Sequence, residues 1–149
     1  MIPDDGCFLN DVSLIEELQS YIDKFKTIDI KIKFSLSIDG KIMDENRHHD
    51  DRTDEYYNRA LAFAEKNNYA FHPMVSAHNI EKWIENYQWW KEFSPKFANR
   101  LMMLEVRNDD WTPKKIDEYL KFLNYIIDYE FKNSHDSDLE DFAKRLCGK

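Results

Sequence analysis

The sequence predicts an α/β fold in which parallel strands alternate with helices. Three observations carry that expectation: strict period-two alternation over 30–39, two further short apolar runs at 69–75 and 101–106, and amphipathic helical stretches between them. Neighbouring strands joined through a helix imply right-handed parallel crossovers.

In chain order, a loop around Asp4-Asp5-Gly6 leads to the first helix. There Ser13 and Glu16 read as an S-x-x-E capping box, and Ile15, Leu18, Ile22 and Phe25 follow at helical spacing. The first strand puts Ile30, Ile32, Phe34, Leu36 and Ile38 on one face and Lys31, Lys33, Ser35, Ser37 and Asp39 on the other, and Gly40 ends it. A polar stretch follows to Arg52. Thr53 then caps a helix that starts with Asp54 and Glu55, carries Tyr57, Ala60, Leu61 and Ala64 as its stripe, and stops at Asn67-Asn68.

Tyr69–Val75 reads as a short strand weakened by Pro73, which cannot donate to a ladder. Asn79 caps a helix bearing Ile80, Trp83, Ile84, Tyr87 and Trp90, and Pro95 closes it. The mostly apolar Leu101–Val106 suits a strand buried on both faces, with Asn108-Asp109-Asp110 as its exit. Thr112-Pro113 starts the clearest helix, with Ile116, Tyr119, Leu120, Leu123 and Ile127 as its stripe. After a polar break at 133–136, a second S-x-x-E box at Ser137 and Glu140 opens a short terminal helix to 149.

Bulk properties bound the function. The 149 residues form one ordinary domain, and 42% hydrophobic with 15% aromatic residues argues for a folded core. A net charge of -8 with no basic stripe argues against nucleic acid. No apolar run approaches the ~20 residues of a membrane helix, and the N-terminus lacks signal-peptide features, so the expected compartment is cytoplasmic. Cys7 and Cys147 stand far apart, which suggests reduced thiols rather than a disulfide or metal pair. Three glycines cannot assemble a Gly-rich phosphate loop. No two of the histidines at 48, 49, 72, 78 and 135 stand four apart as a helical zinc site prefers, and no metal ligand is assigned.

In parallel α/β folds ligands gather where strands end. Ser35, Ser37 and Asp39 lie on the strand face away from the covering helices. They either line an interior, where they need a polar ligand, water or one another, or face solvent as in an open two-layer sheet.

Phe34-Ser35-Leu36-Ser37-Ile38-Asp39-Gly40 resembles the S-x-S-I-D-G strand of radical S-adenosylmethionine (SAM) enzymes of the peptide- and protein-modifying type, often called SPASM-type maturases. Ile2–Phe8 is similar to the loop after the family's third barrel strand, Phe71–Val75 through Asn79-Ile80 to its fifth strand and next helix, and Leu104–Asn108 to its sixth strand. The resemblance implies a partial (βα)6 TIM-like barrel over 1–149, from its third helix through its sixth. It further implies SAM and a [4Fe-4S] cluster as cofactors and a peptide or protein as substrate.

By position Ser37 resembles the family's SAM-contacting serine, with Ser35 and Asp39 beside it. Arg47 and Arg52 are both candidates for the arginine that grips the SAM carboxylate, or are solvated loop charges. Asn79 is a further candidate SAM contact, better explained as a cap. Glu105 and Arg107 share a strand face, where they touch substrate or pair with each other, and His72 either lines the barrel mouth or is structural.

The cluster-binding C-x3-C-x2-C and the second-strand G-G-E of the family are absent. The chain therefore reads as a fragment of a radical SAM enzyme, inactive alone, whose open half-barrel edge would permit self-association. The other reading is a free-standing small α/β ligand-binding or interaction module without radical chemistry. No catalytic residue is assigned.

Overall fold

The computed structural model describes residues 2–44, 52–98, 101, 104–105 and 109–133. Its elements run β1 (Ile2–Asp4), a 3-10 turn (Cys7–Asn10), α1 (Val12–Lys26), β2 (Phe34–Leu36), α2 (Lys41–Asp44), α3 (Asp54–Asn67), β3 (Met74–Val75), a 3-10 turn (Ile80–Lys82), α4 (Trp83–Phe93), α5 (Pro95–Ala98), β4 (Leu104–Glu105) and α6 (Pro113–Asn133).

The expected partial (βα)6 TIM-like barrel of about three parallel strands is overturned. Helices dominate, and no strand among the described residues is longer than three residues. β1 and β2 pair in parallel, Ile2 opposite Phe34 and Asp4 opposite Leu36. Single parallel bridges join Leu36 to Phe71 and Phe71 to Leu101, and β3 neighbours β4. These pieces do not form a continuous sheet.

Local hydrogen bonding explains why the strands are so short. The alternating run that predicts a strand over 30–39 loses its first half to the end of α1. There Asp29 adopts a left-handed φ of 60°, and the Ile30 N–H returns 2.9 Å to the Phe25 carbonyl while the Asp29 N–H reaches the Lys26 carbonyl. That is a Schellman closure with aspartate where glycine is usual. Ile30 is left exposed. At the other end the Ile38 N–H turns back 3.0 Å onto the Leu36 carbonyl, a γ-turn centred on Ser37 that halts pairing. In the next run Pro73, which has no N–H, separates the Phe71 bridge from β3.

The caps mostly follow the sequence. The Thr53 side chain accepts from the Tyr56 N–H at the start of α3, and Asn68 closes that helix in a left-handed conformation. Thr112 accepts from the Lys115 N–H ahead of α6. At α1, however, the cap is Asp11, whose carboxylate accepts from the Ser13 and Leu14 N–H groups and from the Ser13 hydroxyl. A carboxylate two residues earlier outcompetes the serine because it receives all three donors at once.

The chain divides into two compact units, Met1–Met74 with Asn86–Leu104, and Val75–Glu85 with Glu105–Lys149. In the first, Phe8, Phe34, Phe63 and Tyr69 pack ring to ring, with Phe8 and Phe63 centroids 5.2 Å apart. Gln19 on α1 and Asn67 on α3 exchange reciprocal amide hydrogen bonds at 3.2 and 2.8 Å. A second aromatic group gathers Tyr57, Phe71, Trp89, Trp90 and Phe93.

In the second unit Trp83 meets Phe122 of α6 at 5.5 Å. Here the expected stripe is displaced. Phe122 and Ile126 are buried, whereas Ile116, Leu120 and Ile127 are exposed.

Candidate functional site

The polar residues singled out by sequence separate into two kinds. Asp39 is buried, and its carboxylate accepts the Met74 N–H at 2.9 Å. Its main-chain carbonyl accepts from the Asn86 side-chain amide at 2.7 Å and from the Trp90 indole N–H at 3.2 Å. Asp39 is thus a tie between the end of β2, the start of β3 and α4. A carboxylate committed to a backbone donor is a poor free ligand group.

Ser35, Ser37 and His72 behave differently. Burial of Phe34, Leu36 and Ile38 turns Ser35 and Ser37 to the other side of the chain, and both are half-buried. The parallel bridge between Leu36 and Phe71, with the His72 N–H 2.8 Å from the Leu36 carbonyl, brings His72 to the end of β2. Among the described residues no protein group hydrogen-bonds either hydroxyl or the His72 ring. The strand end therefore presents two hydroxyls and an imidazole with their hydrogen-bonding capacity unused.

Burial pushes the His72 imidazole below its ordinary value of 6.5, so it is neutral at pH 7. Because the folded form resists protonation more than the unfolded form, stability is full above pH 6.5 and falls as the pH drops from there toward the folded value. Urea midpoints measured from pH 7.5 to 5 should show this loss, and His72→Gln should flatten that part of the curve. An unchanged slope in the variant would assign the pH dependence elsewhere.

Arg52 is buried, donates to the Asp5 carbonyl and lies 4.9 Å over the Tyr56 ring. It anchors the turn after β1 to the start of α3. Asn79 accepts from the Ser76 N–H at 2.8 Å and the Trp83 indole N–H at 2.9 Å, so its carbonyl oxygen braces the turn before α4 rather than capping it. Glu105 lies on β4. Arg47 and Arg107 fall outside the described residues.

No family model, curated protein or solved structure matches this chain. The likeness to radical SAM enzymes therefore rests on the residues quoted for it. Among the described residues, no group of His, Cys, Asp and Glu could hold a metal ion. No helix among them is long and apolar enough to cross a membrane.

Sequence reasoning missed the Asp109 bracket in the second unit. One carboxylate oxygen accepts the Ala77 N–H at 2.6 Å, and the other accepts the Asp110 N–H at 2.9 Å and faces His78 Nε2 at 3.0 Å. Burial alone would raise the carboxyl, but these N–H donors hold it below its ordinary value of 3.8. The only signal in the sequence is an Asp-Asp pair after an apolar run, which is also what a solvated loop looks like.

Proposed function

We propose that this chain is one part of a radical SAM enzyme acting on a peptide or protein, and that it contributes side chains that hold SAM. What supports the reading is the strand end where Ser35, Ser37 and neutral His72 leave their hydrogen-bonding capacity unused. A hydroxyl donates and accepts, so Ser37 suits an ammonium or a carboxylate, and a neutral imidazole accepts from a ribose hydroxyl without repelling a sulfonium. Bound SAM together with a reduced cluster would supply the radical chemistry of that class.

The described residues do not fit the cluster. Cys7 is the one cysteine among them, and it is exposed with no second thiolate beside it. The cluster must then be held by cysteines outside these residues, and a cytoplasmic, reducing compartment suits it. That same mismatch favours the second reading, a ligand-binding module without radical chemistry.

A titration of the purified chain with SAM, followed by backbone amide NMR, tests both. Weak binding, at about millimolar Kd, with shifts confined to 35–40 and 70–74 is the expected result. Ser37→Ala should weaken it about three- to tenfold, the worth of one hydrogen bond. Low-micromolar binding by the isolated chain would favour the module, and no shift at several millimolar would end the SAM reading.

A further inference from the structure

α1 carries two apolar faces, and only one of them is used. Ile22 is buried, and Gln19 beside it bonds to Asn67 of α3. On the adjoining face Leu14, Tyr21 and Phe25 are 38 to 48% exposed, and half-buried Leu18 completes the row. The spacing 14, 18, 21, 25 alternates four and three, the seam of a two-stranded coiled coil. A surface helix of a monomer needs one apolar stripe, so the second requires a partner.

The charges beside the seam say which partner. Glu17 and Lys24 stand on the same flank, seven residues apart and opposite in sign. If a second α1 packs antiparallel with Leu14 opposite Phe25 and Leu18 opposite Tyr21, each Glu17 faces the Lys24 of the other copy. A parallel pairing would instead put Glu17 against Ile22, which is already buried within its own chain. Antiparallel, two-fold self-pairing is the arrangement in which both the apolar row and both charges are matched.

We infer that two copies of this chain associate through α1, antiparallel about a two-fold axis near Ser20. The seam is short, on a helix of 15 residues, so the contact falls at the low end of interface sizes and is transient. The inference does not depend on what the strand end binds.

Sedimentation velocity of the full chain over a concentration series tests it. The expected result is a monomer–dimer equilibrium with a Kd of about 10–100 μM, weaker at high salt. Glu17→Lys and Lys24→Glu, made separately, each set like charges against one another twice and should raise Kd about five- to tenfold. The double variant Glu17→Lys/Lys24→Glu should restore the native Kd, which no general loss of stability could do. Both residues lie on an exposed flank, so circular dichroism should show unchanged helix content in all three variants. A monomer at several hundred micromolar overturns the inference. So does a dimer indifferent to the single swaps, which would place the contact on another surface such as the exposed row of α6.

Discussion

Gly40→Ala should destabilise the first unit by about 3–5 kcal/mol, enough to remove much of the 5–15 kcal/mol that holds an ordinary domain folded. Two causes act together. The φ of Gly40 is 104°, well outside the narrow left-handed well open to residues with a Cβ, and such strain costs about 1–3 kcal/mol. In addition a Cβ there would stand 2.6 Å from Trp90 Nε1, 2.7 Å from Asn86 Oδ1 and 2.9 Å from Trp90 Cε2. Those two side chains are the donors to the Asp39 carbonyl, so making room for a methyl group breaks the tie at the end of β2 as well.

The check is a urea melt followed by far-ultraviolet circular dichroism. Because Asn86 is one of the two obstructing side chains, Asn86→Ala should cost less in the Gly40→Ala background than in the native chain, a coupling that a double-mutant cycle reads. A single-variant change under about 1 kcal/mol would mean that the backbone there relaxes freely.

This glycine also marks the limit of what the sequence discloses. Helix starts and stops at Thr53, Asn68 and Thr112-Pro113 are legible because each depends on residues within one turn. The packing of Asp39-Gly40 depends on Asn86 and Trp90, 47 and 51 residues away from Asp39, and no local pattern encodes that distance. The resemblance implies Asp39 as a ligand contact, whereas its carboxylate and carbonyl both bond to the protein.

The strand lengths were misread for a related reason. Alternation over 30–39 is satisfied by any extended chain, and it cannot reveal that Ile30 and Ile38 spend their N–H groups locally on Phe25 and Leu36. On α6 the apolar residues are numerous enough for two overlapping stripes, and periodicity alone chose the row that the structure leaves exposed. Of the candidate site, the Ser35 and Ser37 pair was legible from alternation. That His72 meets the end of β2 was not, because it requires the register between β2 and the chain at Phe71.

Trp90→Ala should cost about as much as the glycine substitution, roughly 3–5 kcal/mol, by a different route. The indole is fully buried and touches Tyr57 at 6.3 Å, Trp89 at 5.0 Å and Phe71 at 6.1 Å, so its loss leaves a cavity walled by rings that cannot collapse without leaving their own contacts. Trp90→Phe separates the two roles of the residue. It keeps most of the ring and removes the N–H, while the Asn86 amide still satisfies the Asp39 carbonyl. The expected cost is therefore only about 1–2 kcal/mol, for one hydrogen bond and a little volume.

The comparison bears on the proposed ligand site as well. If Trp90 acts through Asp39 to hold the end of β2, Trp90→Phe should leave the SAM-induced shifts at Ser37 in place while lowering the urea midpoint. Should the phenylalanine variant lose stability as severely as alanine, the indole N–H would be worth far more than a single hydrogen bond. The Asp39 carbonyl, rather than the ring cluster, would then be the element on which this part of the fold depends.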